Sequence, residues 1–127
     1  MTNKLTARLI VPNGAEAIAY YVDVFGAREL QRHTDPEGRI IQAELALGES
    51  TLLLTDEAPR WHNHAPKSLG GTPVLLSLQL DDPDKVWASA IAKGAKVIFP
   101  LADHDYGQRA GRLQDPFGHV WILFKPL

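Results

Sequence analysis

Residues 106–124, Tyr-Gly-Gln-Arg-Ala-Gly-Arg-Leu-Gln-Asp-Pro-Phe-Gly-His-Val-Trp-Ile-Leu-Phe, constrain the fold more than any other stretch, because they encode two strands and the turn between them. Asp115-Pro116-Phe117-Gly118 places an Asx-type acceptor at the first turn position. Pro, with φ preset near about −65°, follows at the second, and Gly stands at the fourth. The run from Val120 to Phe124 is short, apolar and β-prone, ends before Pro126, and suits a strand buried on both faces. The motif thus has a structural explanation before any functional one.

The same period-2 signal recurs upstream. Leu5, Ala7, Leu9 and Val11 alternate with Thr6, Arg8 and Ile10, which predicts a first strand broken by Pro12-Asn13-Gly14. Ala15, Ile18, Ala19, Val22 and Phe25 then recur at helical spacing and stop at Gly26, a C′ residue. Tyr20 and Tyr21 fall partly on that stripe. Residues 27–34 form a weaker strand, Asp35-Pro36-Glu37-Gly38 repeats the turn chemistry of 115–118, and residues 39–47 alternate with Ile41, Ala43, Leu45 and Leu47 on one face. Gly48-Glu49 turns the chain into a strand over 51–55. The second half repeats the order. A strand over 74–80 leads to a helix carrying Val86, Trp87, Ala90 and Ile91 and closed by Gly94, and strands over 96–99, 106–114 and 119–124 follow. Strand, helix, Phe-Gly-Ala or Lys-Gly-Ala, strand and Asp-Pro-x-Gly hairpin recur in one order, an internal repeat. The reading is one α+β domain over 1–127: a βαβββ module at about 4–56, a connector over 57–72 and a second βαβββ module at about 73–125, forming a curved mixed sheet with helices on its outer face.

Composition excludes several classes. The absence of Cys removes thiol catalysis, thiolate metal sites and disulfide scaffolds. A net charge of −2 with scattered Lys and Arg offers no basic stripe, so a nucleic-acid partner is not expected. No run reaches the roughly 18 apolar residues of a membrane span, and the first residues lack a charged segment followed by an apolar one. The expectation is a cytoplasmic protein without a membrane partner.

The last motif, read as YGxRxGxxxDPFGHxW, together with the Gly-Ala pairs after both helices, resembles the vicinal oxygen chelate superfamily of glyoxalases, bleomycin-resistance proteins and extradiol dioxygenases, and within it the PhnB-like branch. The resemblance runs from about Leu5 to Phe124 and implies the same two-module fold, a homodimer, and a ligand site on the concave face opposite the helices. Metal-dependent members of the superfamily take His or Glu ligands from the first and last strands of each module. Here Thr6 and Leu75 stand at the first-strand positions, Ile122 stands where a terminal Glu is expected, and Gln42 replaces a His common in PhnB-like relatives. The expectation is no metal and no cofactor.

The alternation puts Thr6, Arg8, Gln42, Glu44, Ser77, Gln79, Gln108, Arg112 and Ile122 on the face away from the helices. Glu44 is the candidate general base, since such a group must sit in a concavity within reach of the proton it moves; its bland alternative is a charge pair with Arg8 or Arg112. Trp61 and Tyr106, with Phe99 beside Pro100, supply rings against which a planar ligand can stack. The expected binding set is Arg8, Gln42, Glu44, Trp61, Tyr106, Gln108 and Arg112, on the concave face between the modules. His62-Asn63-His64 reads as a solvated loop pair, His119 as part of the turn, and His33 and His104 as inert neighbours of turn carboxylates. Trp87 and Trp121 read as packing residues. The function so implied is binding of a small organic molecule in a metal-free cavity, as in sequestration or antibiotic resistance. The alternatives are a lyase, isomerase or dioxygenase of the same fold and, less in keeping with the polar inner face, an interaction module without a ligand.

Overall fold

Residues Thr2–Leu127 are described in a computed structural model. Their elements run β1 (Arg8–Val11), α1 (Gly14–Phe25), β2 (Arg28–Thr34), β3 (Ile40–Leu47), β4 (Ser50–Asp56), a 3-10 turn at Pro59–Trp61, α2 (Pro66–Leu69), β5 (Leu75–Gln79), α3 (Pro83–Ala92), β6 (Lys96–His104), β7 (Gln108–Gln114) and β8 (Val120–Pro126). The chain divides into two compact units, one ending at Ser68 and the other running Leu69–Leu127. Each unit holds its own four-stranded mixed sheet, in the orders β1-β4-β3-β2 and β5-β8-β7-β6. In both, the first strand pairs parallel with the fourth and the other pairings are antiparallel. These are two tandem βαβββ modules, and no described helix is long and apolar enough to cross a membrane.

In the first module, Asn13 caps α1 by accepting from the Glu16 N–H at 3.2 Å, and Gly26 ends it with φ +71°, where its N–H donates to the Tyr21 carbonyl. The helix buries Ala17, Ile18, Tyr20, Tyr21, Val24 and Phe25 against Leu9, Val11, Ala43, Leu45, Leu52 and Leu54 of the sheet. The stripe read from sequence is therefore rotated. Ala15, Ala19 and Val22 face out, because the two tyrosines and Val24 remove far more apolar area from water than two methyl groups can. Asp56, closing β4, accepts from the Gly14 N–H at the start of α1 and from the Ile40 N–H at 2.8 Å, so one carboxylate joins a helix start to a strand start. That tie brings Ile40 to the helix side, where it is buried, while Ile41 faces out, reversing the expected parity at the start of β3.

The second module is held from its motif. The Asp115 carboxylate is 2% exposed and accepts from the Phe117 N–H at 2.9 Å, the His119 N–H at 3.0 Å and the Trp121 indole N–H at 2.9 Å. Three donors satisfy a buried anion, and Pro116 and Gly118 supply the backbone angles. Gly111 lets β7 pass beneath α3: a Cβ there would lie 2.7 Å from the Trp87 ring and 2.8 Å from the Leu101 backbone. Arg109 clamps the helix start to the sheet, reaching Asp84 at 2.7 Å and Asp103 at 3.1 Å. Its hydrogen bonds hold the Asp84 carboxyl below the usual carboxylate range, and Asp84, then Asp103, raise the Arg109 guanidinium further above its own.

Several boundaries differ from the sequence reading. β1 starts at Arg8, leaving Leu5 and Thr6 outside it. β6 runs through Pro100 to His104, which an edge strand with two register shifts tolerates because the missing N–H removes no ladder bond on its open side. β8 extends to Pro126, opposite Gln108, and is buried on one face only: Trp121 and Leu123 are enclosed, Val120 and Ile122 half-exposed. The two Asp-Pro-x-Gly turns are alike locally, since Asp35 also accepts from the N–H two and four residues on, but they are not repeat equivalents. Asp35–Gly38 joins the second and third strands of its module, and Asp115–Gly118 the third and fourth.

The connector is ordered. The Glu57 N–H donates to the Val11 carbonyl at 2.8 Å, Ala58 bridges Asn63, and the Glu57 carboxylate accepts from the Ser68 hydroxyl and, at 2.8 Å, from the Ala65 N–H. Ser68 first, then Ala65 and the nearby His64, hold the Glu57 carboxyl below its ordinary 4.5, against a smaller opposing effect of burial.

Two outcomes follow for stability. Asp115→Ala strands three buried donors and should cost about 3 kcal/mol or more in urea unfolding; a loss under about 0.5 kcal/mol, the surface-substitution range, would remove its assigned role. Because the folded carboxyl of Glu57 titrates below the unfolded one, its stabilisation is fully present above the ordinary Glu range and is lost as pH falls through the folded value. The hydrogen-exchange protection of the Ala65 amide should therefore drop on acidification below about pH 4, and Glu57→Gln should flatten that dependence.

Candidate functional site

The strand registers single out one row in each sheet. In the first module Arg8 pairs with Leu53, Leu53 with Glu44, and Glu44 with Gln31. In the second, Ser77 pairs with Ile122, Ile122 with Arg112, and Arg112 with Phe99. The strands contribute in the same order, so Glu44 and Arg112 occupy the same slot of the repeat. Both rows lie on the face away from the helix, because their neighbours Leu45, Leu52 and Leu54, or Leu113, Trp121 and Leu123, are the buried ones.

On the first module's row the guanidinium of Arg8 donates to the Thr55 hydroxyl and to the Gln42 side-chain oxygen, both at 2.8 Å. These acceptors are neutral, so the arginine is oriented without losing its charge to a carboxylate. Glu44 accepts from the Gln31 amide at 3.3 Å, and the Gln31 oxygen lies 3.1 Å from the His33 ring nitrogen. The expected Arg8–Glu44 ion pair does not form. Arg8, Gln42 and Glu44 do share one face.

The second module forms an open-sided concavity of about 150 Å³ lined by Phe99, His104, Tyr106, Ala110, Arg112 and Ile122. The Arg112 guanidinium sits 5.2 Å from the centre of the Phe99 ring, a cation–π distance. Among the described residues that guanidinium makes no hydrogen bond or ion pair. His104 and Tyr106 stack with centroids 5.0 Å apart and planes 10° from parallel, and the His104 Nε2 lies 3.1 Å from the Ala110 carbonyl oxygen. Phe99 and Tyr106, 58% and 68% exposed, present ring faces that nothing in this module covers.

Of the residues expected to bind, Tyr106 and Arg112 come together here, and Gln108, opposite His104 and Pro126, begins the same strand. Trp61 belongs to a separate, shallow concavity of the first module with Asp35, Arg39 and Ile41, about 20 Å³ in volume. That space admits one water-sized occupant. The Arg60 guanidinium lies 4.8 Å from the Trp61 ring. His104, taken from sequence as inert, lines the larger concavity. The signal that could have found it is its place in a hairpin end beside Tyr106 in an aromatic-rimmed strand pair.

The donor set of a metal centre of the family type is not assembled by these residues. Thr6 precedes β1, Leu75 and Ile122 carry only hydrocarbon, and among the described residues no three His, Asp or Glu side chains cluster.

The profile of the Glyoxalase/Bleomycin resistance protein/Dioxygenase superfamily matches residues 4–123. An uncharacterised protein of Mycobacterium tuberculosis is 40% identical over 126 residues, covering 97% of this chain and 74% of that protein. The crystal structure of TioX from Micromonospora sp. ML1 superposes with a TM-score of 0.76 at 25% identity, covering 99% of this chain and all of that one. FosX, a genomically encoded fosfomycin resistance protein from Listeria monocytogenes complexed with Mn(II) and sulfate, superposes with a TM-score of 0.75 at 14% identity over 100% of this chain and 94% of that one, a likeness of fold alone. Motif, module order and profile agree, and the chain belongs to the Glyoxalase/Bleomycin resistance protein/Dioxygenase superfamily.

Proposed function

We propose that this protein binds a small organic anion in the concavity of its second module, without a resident metal, and acts by sequestration as a resistance-type binding protein. The observation that carries the reading is Arg112: a guanidinium in a ring-walled concavity whose only described partner is the Phe99 face. Its donors remain for a carboxylate or similar oxyanion, and a few oriented polar groups among apolar walls are what small-ligand sites present. The metal-free part is supported by the hydroxyl and hydrocarbon side chains at Thr6, Leu75 and Ile122.

Arg112→Ala should weaken benzoate binding in calorimetric titration by about tenfold to more than a hundredfold, the loss of a charge-assisted hydrogen bond worth roughly 1.5–3 kcal/mol. Stability should change little, because no described partner is lost. Chelator treatment of the wild type should leave the affinity unchanged. Equal binding by the variant, or loss on chelation, would sink the reading. Consumption of a ligand rather than its release would instead favour an enzyme of the same fold, with Glu44 as the base.

The proposal includes a homodimer. The edge strand β2 is exposed along its whole length, and β6 exposes Val97, Ile98 and Phe99, so unpaired strand edges remain to be covered. Light scattering at micromolar concentration should give twice the 14.0 kDa chain mass; a monomer mass would remove this part alone.

A further inference from the structure

We infer that the ligand of the second module's concavity is a single-ring aromatic acid bearing a hydrogen-bond donor such as a ring hydroxyl, and that His104 is the residue that reads the donor. This rests on the proposed anion-binding role of Arg112. Size sets the ring count: a cavity of about 150 Å³ accommodates one benzene ring, and this concavity has that volume. The walls suit a flat occupant, with the Phe99 ring beneath Arg112, the parallel His104–Tyr106 pair and the Ile122 side chain. Hydrogen-bond polarity then divides the ligand. Arg112 has donors only, so it takes an acceptor, the carboxylate. The His104 Nε2 faces the Ala110 carbonyl oxygen at 3.1 Å, and a carbonyl can only accept, so Nε2 carries the proton. In the neutral ring Nδ1 is then proton-free and serves as an acceptor. The tautomer fixed by the β7 backbone thus gives the concavity one group that asks for a donor. The Tyr106 hydroxyl both donates and accepts and imposes no such preference.

The experiment is calorimetric titration of the full chain with benzoate, 3- and 4-hydroxybenzoate, and their methyl ethers. One hydroxybenzoate should bind about fivefold or more tighter than benzoate, the worth of one net hydrogen bond, while its methyl ether loses that gain. In His104→Phe, which keeps a flat ring for the Tyr106 stack, the preference should fall to about one while benzoate affinity stays within about twofold; His104→Leu carries the same expectation should the Phe variant misfold. A hydroxyl preference absent from the wild type, or unchanged in a folded His104 variant, overturns the inference while Arg112-dependent benzoate binding stands. Benzoate that binds Arg112→Ala as well as wild type removes the anion site, and the role of His104 with it. A purely structural role for His104 would shift stability and all five affinities together, leaving their ratios unchanged.

Discussion

The second module depends on a buried carboxylate. Asp115 lies at the turn between β7 and β8, the two inner strands of its sheet, and accepts from two turn amides and from the indole of Trp121. The first two bonds close the turn; the third reaches six residues along and pins the largest core side chain of β8. Turn and strand are thereby set in one register, and in a strand a slip of one residue would move every side chain to the opposite face. Arg112 and Ile122 face the concavity because Leu113, Trp121 and Leu123 are held away from it.

Seen this way, the conserved-looking motif is spent on architecture. Gly111 clears the path beneath Trp87, Arg109 ties the start of α3 to β6 and β7, and Asp115, Gly118 and Trp121 make the turn. Of its residues only Tyr106 lines the concavity, alongside Arg112, which occupies one of the unspecified positions. A scaffold whose signature residues do structural work leaves its inner face open to change, which is why membership of the superfamily says little about what is bound.

The order of strands, helices and turns was legible in the sequence because alternation, caps and Asp-Pro-x-Gly turns are local signals. Errors arose where tertiary competition decides. The α1 stripe rotated toward Tyr20, Tyr21 and Val24 because buried area outweighs spacing, and Ile40 turned inward because Asp56, sixteen residues away, binds its amide. Repeat equivalence of the two turns was misread because identical local chemistry serves different hairpins. In the site, Arg8, Gln42, Glu44, Tyr106 and Arg112 follow from parity alone. His104 does not, since its role arises from the carbonyl of Ala110 across the hairpin, and Trp61 was misjudged because exposure in a connector carries no information about the volume beside it.

Glu44 and Arg112 hold one slot in two copies of the same unit. A lone βαβββ unit that dimerised would present the same residue there twice, so any mutation giving that slot a charge would give both copies the same sign. Joining the two units in one chain removes that symmetry. Each copy can then accumulate its own substitutions, and an acid in one and a base in the other is a combination that only a duplicated and fused gene can encode.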